Sequence, residues 1–162
     1  MKYDISALGN ALVDTQYKVD HNFLSEIGLE ADSMTLSSAD EQAPIINKLI
    51  EMGSESMSDC GGSATNSLVA AANYGSKCHH VCRVADDEDG RKYLDSLRSA
   101  GVEHIGISSK NANMPTGKCL ILVTPDAKRT MSSMLGVSAF LGASDINFEV
   151  VALSFSSPTC LN

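Results

Sequence analysis

The sequence predicts an α/β fold: a parallel-rich sheet flanked by helices, with a small β-sheet lid. Three observations lead there. Strand-like and helix-like segments alternate up to residue 100, and strand-like runs then follow one another from Val102 to Met134 with no helix between them. Glycines stand where segments must stop, at Gly9, Gly28, Gly53, Gly75 and Gly101.

Each element follows from local chemistry. Residues 2–9 are a short apolar-rich run that ends at Gly9-Asn10, as a buried strand does where the chain turns. Residues 15–19 alternate and are expected to form a second, more exposed strand. Residues 21–28 suit a short helix closed by Gly28, and residues 39–52 suit a longer one. In the longer helix Ser38 is placed to cap, Asp40 and Glu41 favour the first turn, Ile45, Ile46, Leu49 and Ile50 recur at helical spacing, and Gly53 terminates. A helix rich in small residues is expected over 62–75 and a strand over 77–85. Asp86-Asp87-Glu88-Asp89 then supplies acids to the start of a helix over 90–100, with Tyr93, Leu94 and Leu97 on one side. Strands over 102–108, 117–124 and 128–133, the last two joined by a Pro125-Asp126 turn, are expected to form the lid together with 15–19. No internal repeat or Pro-rich linker divides residues 1–162, so one domain is expected.

Composition narrows the function. With 43% hydrophobic and 20% charged residues, the 162-residue chain can build a core. Its formal net charge of -8 opposes a phosphate backbone, so no nucleic-acid partner is expected. No apolar run approaches the roughly 18 residues of a membrane span, and the first residues lack a signal-like apolar stretch; a soluble, cytoplasmic chain without a membrane partner is expected. Five cysteines without Cys-x-x-Cys spacing suggest free thiols. Cys78-His79-His80-Val81-Cys82 holds metal-ligand residue types, but in a strand His79 leaves the face shared by Cys78, His80 and Cys82. A buried strand is therefore expected rather than a metal shell.

Three places carry residues suited to ligand chemistry. Gly61-Gly62, at the start of the small-residue helix, permits positive φ and close ligand approach, while helix N–H groups favour an oxygen-rich ligand. Asn66, one turn on, offers a donor and an acceptor. The same pair also suits a plain tight turn capped by Ser63, and local sequence does not choose between the two readings. Asp14 follows Gly9-Asn10-Ala11-Leu12-Val13 near the end of the first strand. It suits either a carboxylate that accepts from a vicinal diol or a turn aspartate. Arg129, beside the lid turn, suits either a phosphate contact or a solvated surface charge. Other phosphate and cation motifs fail. Gly117-Lys118 lacks the earlier glycine of a Walker loop and has Cys119 where a hydroxyl must meet magnesium, and Asp86 to Gly90 follows Ala85 where an EF-hand needs its first ligand.

Taken together, Gly9-Asn10 with Asp14, Gly61-Gly62-Ser63 with Asn66, Asp86-Asp87 with Gly90, Pro115-Thr116-Gly117 and Lys128-Arg129-Thr130 resemble the PfkB/ribokinase family in order and spacing, most closely its adenosine-kinase-like members. The resemblance spans residues 3–149. It implies a ribokinase-like α/β domain with a lid that closes over the acceptor and excludes water. By resemblance, Asp14 binds ribose-like hydroxyls, Asn10 and Asn66 orient the sugar, and the backbone at Gly61, Gly62 and Ser63 forms the floor. Leu12 and Cys119 line the face of the base or sugar, and Arg129 steadies the transferring phosphate. The implied reaction is ATP-dependent phosphoryl transfer, with Mg²⁺, to a primary hydroxyl of adenosine or a ribose-like sugar. The family's second signature, Gly-Ala-Gly-Asp, supplies the catalytic base, and no Gly-x-Gly-Asp occurs in this sequence. The resemblance therefore implies the acceptor-binding part of a kinase, without a catalytic residue beyond Arg129 and without a complete ATP site. The alternative is a non-catalytic module that binds a nucleoside or sugar, or forms oligomers. Residues 152–162 resemble no family segment, and the sheet is expected to be truncated, leaving an edge or lid that favours self-association.

Overall fold

The structure, a computed structural model, describes residues 3–108 and 114–149. In chain order its elements are β1 (Ile5–Leu8), β2 (Leu12–Lys18), α1 (His21–Glu26), β3 (Met34–Leu36), α2 (Ala39–Glu51), β4 (Ser56–Gly61), α3 (Ser63–Asn73), β5 (Cys78–Val84), α4 (Glu88–Ser99), β6 (Val102–Ser108), β7 (Gly117–Val123) and β8 (Arg129–Met134). Two 3-10 turns follow, Gly136–Phe140 and Ala143–Asp145.

The expected helices form for the expected reasons. At the start of α2, the Ser38 hydroxyl accepts from the Glu41 N–H at 3.3 Å, and the Glu41 carboxylate accepts from the Ser38 N–H at 2.7 Å. At the start of α4, the Asp87 carboxylate accepts from the Gly90 N–H at 2.8 Å. Asp86 to Gly90 is thus an acidic helix start.

The strands divide into two sheets. β1, β5 and β6 form a parallel core sheet in the order β1-β5-β6, and α4 carries the chain from β5 across to β6. α3 and α4 cover one face of it, with Leu68, Tyr93 and Leu97 packed against Cys78, Cys82, Val84 and Val102. On the other face, the His79 ring stacks on Tyr3 at 4.7 Å. The lid sheet has five strands in the order β3-β8-β7-β2-β4, both parallel and antiparallel. One of its faces packs on α1 and α2 through Tyr17, Leu120, Leu122, Phe23, Leu24 and Leu49. No helix among the described residues is long and apolar enough to cross a membrane.

Three expectations are corrected. Residues 102–108 belong to the core sheet and not to the lid: Val102 pairs in register with Cys78 and is buried against α4, because α4 is the crossover that a parallel neighbour requires. The lid strand expected at 15–19 begins three residues earlier, so Leu12 and Asp14 lie within β2 and not in a loop after β1. The lid also contains β3 and β4, which were not expected. The tail 152–162 lies outside the described residues.

Candidate functional site

The site forms where the chain leaves the core sheet for the lid. Period-two geometry turns Val13 and Tyr17 inward, where both are buried, and leaves Leu12, Asp14 and Gln16 half-buried on the opposite face. Register then gathers the other residues. Leu12 lies opposite Gly61 on one side and Gly117 on the other, and Asp14 lies opposite Asp59 and Cys119. Arg129 opens β8 and is exposed.

The glycine pair now has a physical reason. A side chain at Gly61 would place its Cβ 2.2 Å from the Asp14 carboxylate carbon, so the carboxylate lies directly over this backbone. At Gly62, φ is +101° and a Cβ would meet the Asn10 carbonyl at 2.6 Å. Gly62 is the N-cap of α3, and no side chain caps that helix start. Gly61-Gly62 thus makes a tight strand-to-helix turn, but Ser63 does not cap it: Ser63 is the first helical residue, and its carbonyl accepts from the Ser67 hydroxyl at 2.8 Å. Ser63, Asn66 and Asn10 are exposed around this start, and the Asn66 N–H donates to the Gly62 carbonyl at 3.0 Å.

Electrostatics set Asp14 apart. Burial raises its carboxyl above the usual aspartate value, the Arg129 guanidinium works against that rise, and Asp59 adds to it. Cys119 is buried beside it; burial raises its thiol, and its sulfur accepts from the Ser133 hydroxyl at 3.4 Å. Asp14, Arg129 and Cys119 thus share one field although 115 residues separate the first from Arg129 in sequence. The face presents one half-buried carboxylate, one exposed cation and a glycine floor, a set suited to holding hydroxyl donors beside an anionic group.

The supporting roles of residues already named in the sequence were not legible there. Tyr93 is buried under the floor, where its hydroxyl donates to the Gly61 carbonyl at 3.4 Å and is hydrogen-bonded to Thr65. Thr116 is held by Asp87, whose carboxylate accepts from the Thr116 N–H at 2.8 Å and hydroxyl at 2.6 Å. Burial raises the Asp87 carboxyl, but these bonds, the Gly90 N–H and Lys118 outweigh it and hold it below the usual range. Lys118, which sequence alone compared with a Walker lysine, pairs with Asp89 at 2.6 Å. Asp59 sat on β4, a strand with no apolar alternation to announce it. A groove of about 500 Å³ on the helix side of the lid, lined by Ile27, Leu36, Pro44, Ile45 and Lys48 among others, involves none of the site residues.

Comparison with known proteins agrees with the fold. A family model described as pfkB family carbohydrate kinase matches residues 33–157. The mouse ribokinase is 28% identical over 96 residues, 58% of this chain and 29% of that protein. Among solved structures, a probable sugar kinase protein from Rhizobium etli CFN 42 superposes with TM-score 0.80 at 29% identity, covering 93% of this chain and 44% of that one. The adenosine kinase from Sinorhizobium meliloti superposes with TM-score 0.78 at 31% identity, covering 94% and 45%. The chain therefore spans less than half the length of these relatives.

Proposed function

We propose, for a chain that belongs to the pfkB family of carbohydrate kinases, that residues 9–14, 61–66, 119 and 129 form the acceptor-binding part of an ATP-dependent sugar or nucleoside kinase. The acceptor is adenosine or a ribose-like sugar, and the parent reaction transfers the γ-phosphate of ATP to its primary hydroxyl. The observation that carries this reading is the Asp14 carboxylate lying over Gly61, in the space a Cβ would fill. A carboxylate held there accepts from two neighbouring hydroxyls, each bond worth roughly 1.5 to 3 kcal/mol when shielded from water. Asn10 and Asn66 orient the ring, Gly61, Gly62 and Ser63 form the floor, and Leu12 and Cys119 line one side. Arg129 stands where a developing negative charge needs a cation.

On this reading the chain alone does not complete a site for ATP and Mg²⁺, because the sequence holds no Gly-x-Gly-Asp and Lys118 is engaged by Asp89. No phosphoryl-transfer step is assigned to this chain alone. Titration calorimetry tests the reading: saturable binding of adenosine or ribose is expected, with no acceptor-dependent ATP consumption. Absence of heat from both acceptors would remove the acceptor site, and ATP turnover by the chain alone would contradict the division of labour.

A second reading has its own observation. Met34, Leu36 and Met57 are 59%, 63% and 77% exposed on β3 and β4, the edge strands of the lid sheet, which suits self-association. Light scattering should then give a mass above that of one chain, and a strictly monomeric protein would exclude it.

A further inference from the structure

Ala11 is fully buried and belongs to neither ladder, since β1 ends at Leu8 and β2 begins at Leu12. A backbone amide and carbonyl buried between two sheets need partners. One side chain supplies both. The Ser138 hydroxyl accepts from the Ala11 N–H at 3.1 Å and donates to the Ala11 carbonyl at 2.9 Å. It also lies 3.1 Å from the Arg83 carbonyl near the end of β5, so one hydroxyl proton is shared between a carbonyl of the crossing and a carbonyl of the core sheet. Ser138 is itself buried, 127 residues from Ala11 in sequence.

The turn that carries Ser138 is held in turn. Gly136 sits at φ +53°, where a Cβ would meet the Pro115 carbonyl at 2.1 Å, and the Val137 N–H donates to that same carbonyl at 3.0 Å. Three passages between core and lid, at Ala11, at Pro115 and at Val137 to Ser138, are therefore tied at one node.

We infer that Ser138 is a positioning residue for the acceptor site, fixing through Ala11 how Asn10, Leu12 and Asp14 stand over Gly61 and Gly62. This rests on the acceptor-binding reading above. The hydroxyl takes the place of a neighbouring strand at the last of the three residues between β1 and β2, and so sets the angle at which β2 leaves the core.

The test uses the full chain with Ser138→Ala and Ser138→Cys, whose thiol bonds more weakly. Amide hydrogen exchange is followed residue by residue, and adenosine and ribose binding by calorimetry. Exchange at the Ala11 amide is expected to rise about tenfold in S138A and less in S138C, with acceptor affinity falling about tenfold in S138A while α2 amides exchange as before. Unchanged Ala11 exchange in both variants, or a rise shared equally by α2, would overturn the role of Ser138, as would full acceptor affinity in S138A. Absence of binding by the unmutated chain would instead overturn the acceptor reading, which the Ala11 amide does not depend on. Should S138A fail to fold, S138C gives the same comparison.

Discussion

The core and lid sheets treat their ionisable residues in opposite ways. In the core sheet, β5 is covered on both faces, and His80 is fully buried with neither ring nitrogen hydrogen-bonded. In the lid sheet, β2 is covered on one face, and Asp14 remains half-open on the other beside Arg129 and Asp59. Burial alters both residues, but only Asp14 retains a route to a ligand. A perturbed group in a two-sided sheet is a stability cost, whereas one in a one-sided sheet is available for chemistry.

Breaking the lid side should have the largest effect. Gly61→Ala forces its new methyl into the Asp14 carboxylate, and a displacement of about 1 Å at such a site costs about a hundredfold in acceptor affinity, measurable by calorimetry. Asp14→Asn keeps the shape and removes the charge, with roughly a thirtyfold loss expected. Because burial raises the Asp14 carboxyl above its unfolded value, the folded form binds the proton more tightly, and stability falls as pH rises through that interval. Asp14→Asn should therefore melt no lower than the unmutated chain at pH 7 while binding less, a pattern no purely structural residue gives.

The core side breaks with acid. His80 is lowered from 6.5 to about 4 by burial and by neighbouring His79 and His104, so the unfolded chain binds the extra proton first and stability is lost as pH falls from about 6.5 toward 4. Between pH 7 and pH 5 that loss is about 1.5 to 2 kcal/mol. Thermal melts should show it, and His80→Leu should flatten the dependence. An unchanged slope in His80→Leu would place the acid sensitivity elsewhere. The smallest effect belongs to a helix on the face of the lid sheet opposite Asp14: Ser38→Ala removes the α2 capping box and should cost about 1 kcal/mol in melts, with acceptor binding unchanged.

Legibility in the sequence followed local determination. Capped helices were readable because Ser38, Glu41, Asp87 and the terminating glycines act within one turn of themselves. β5 was readable as a buried strand despite its histidines. β6 was misassigned because a parallel pairing depends on α4 packing back, a long-range fact that the segment 102–108 does not carry. β4 was missed because an exposed edge strand reading Ser-Met-Ser-Asp-Cys-Gly has no apolar period. Gly61, Gly62 and Asp14 were singled out through their joint spacing, since local chemistry alone left each an open choice, and the structure brings Asp14 over Gly61, the contact on which the proposed acceptor site rests. Tyr93 and Ser138 gave no signal, since a buried hydroxyl that serves another segment's backbone looks like any core tyrosine or loop serine.

The most direct test of the acceptor site is a residue-resolved amide NMR titration of the chain with adenosine and with ribose. Shifts confined to residues 10–14, 61–66 and 119, saturating together and lost in Asp14→Asn, are the predicted result. Shifts that instead gather in the groove between α1 and α2, or that persist unchanged in Asp14→Asn, would contradict it.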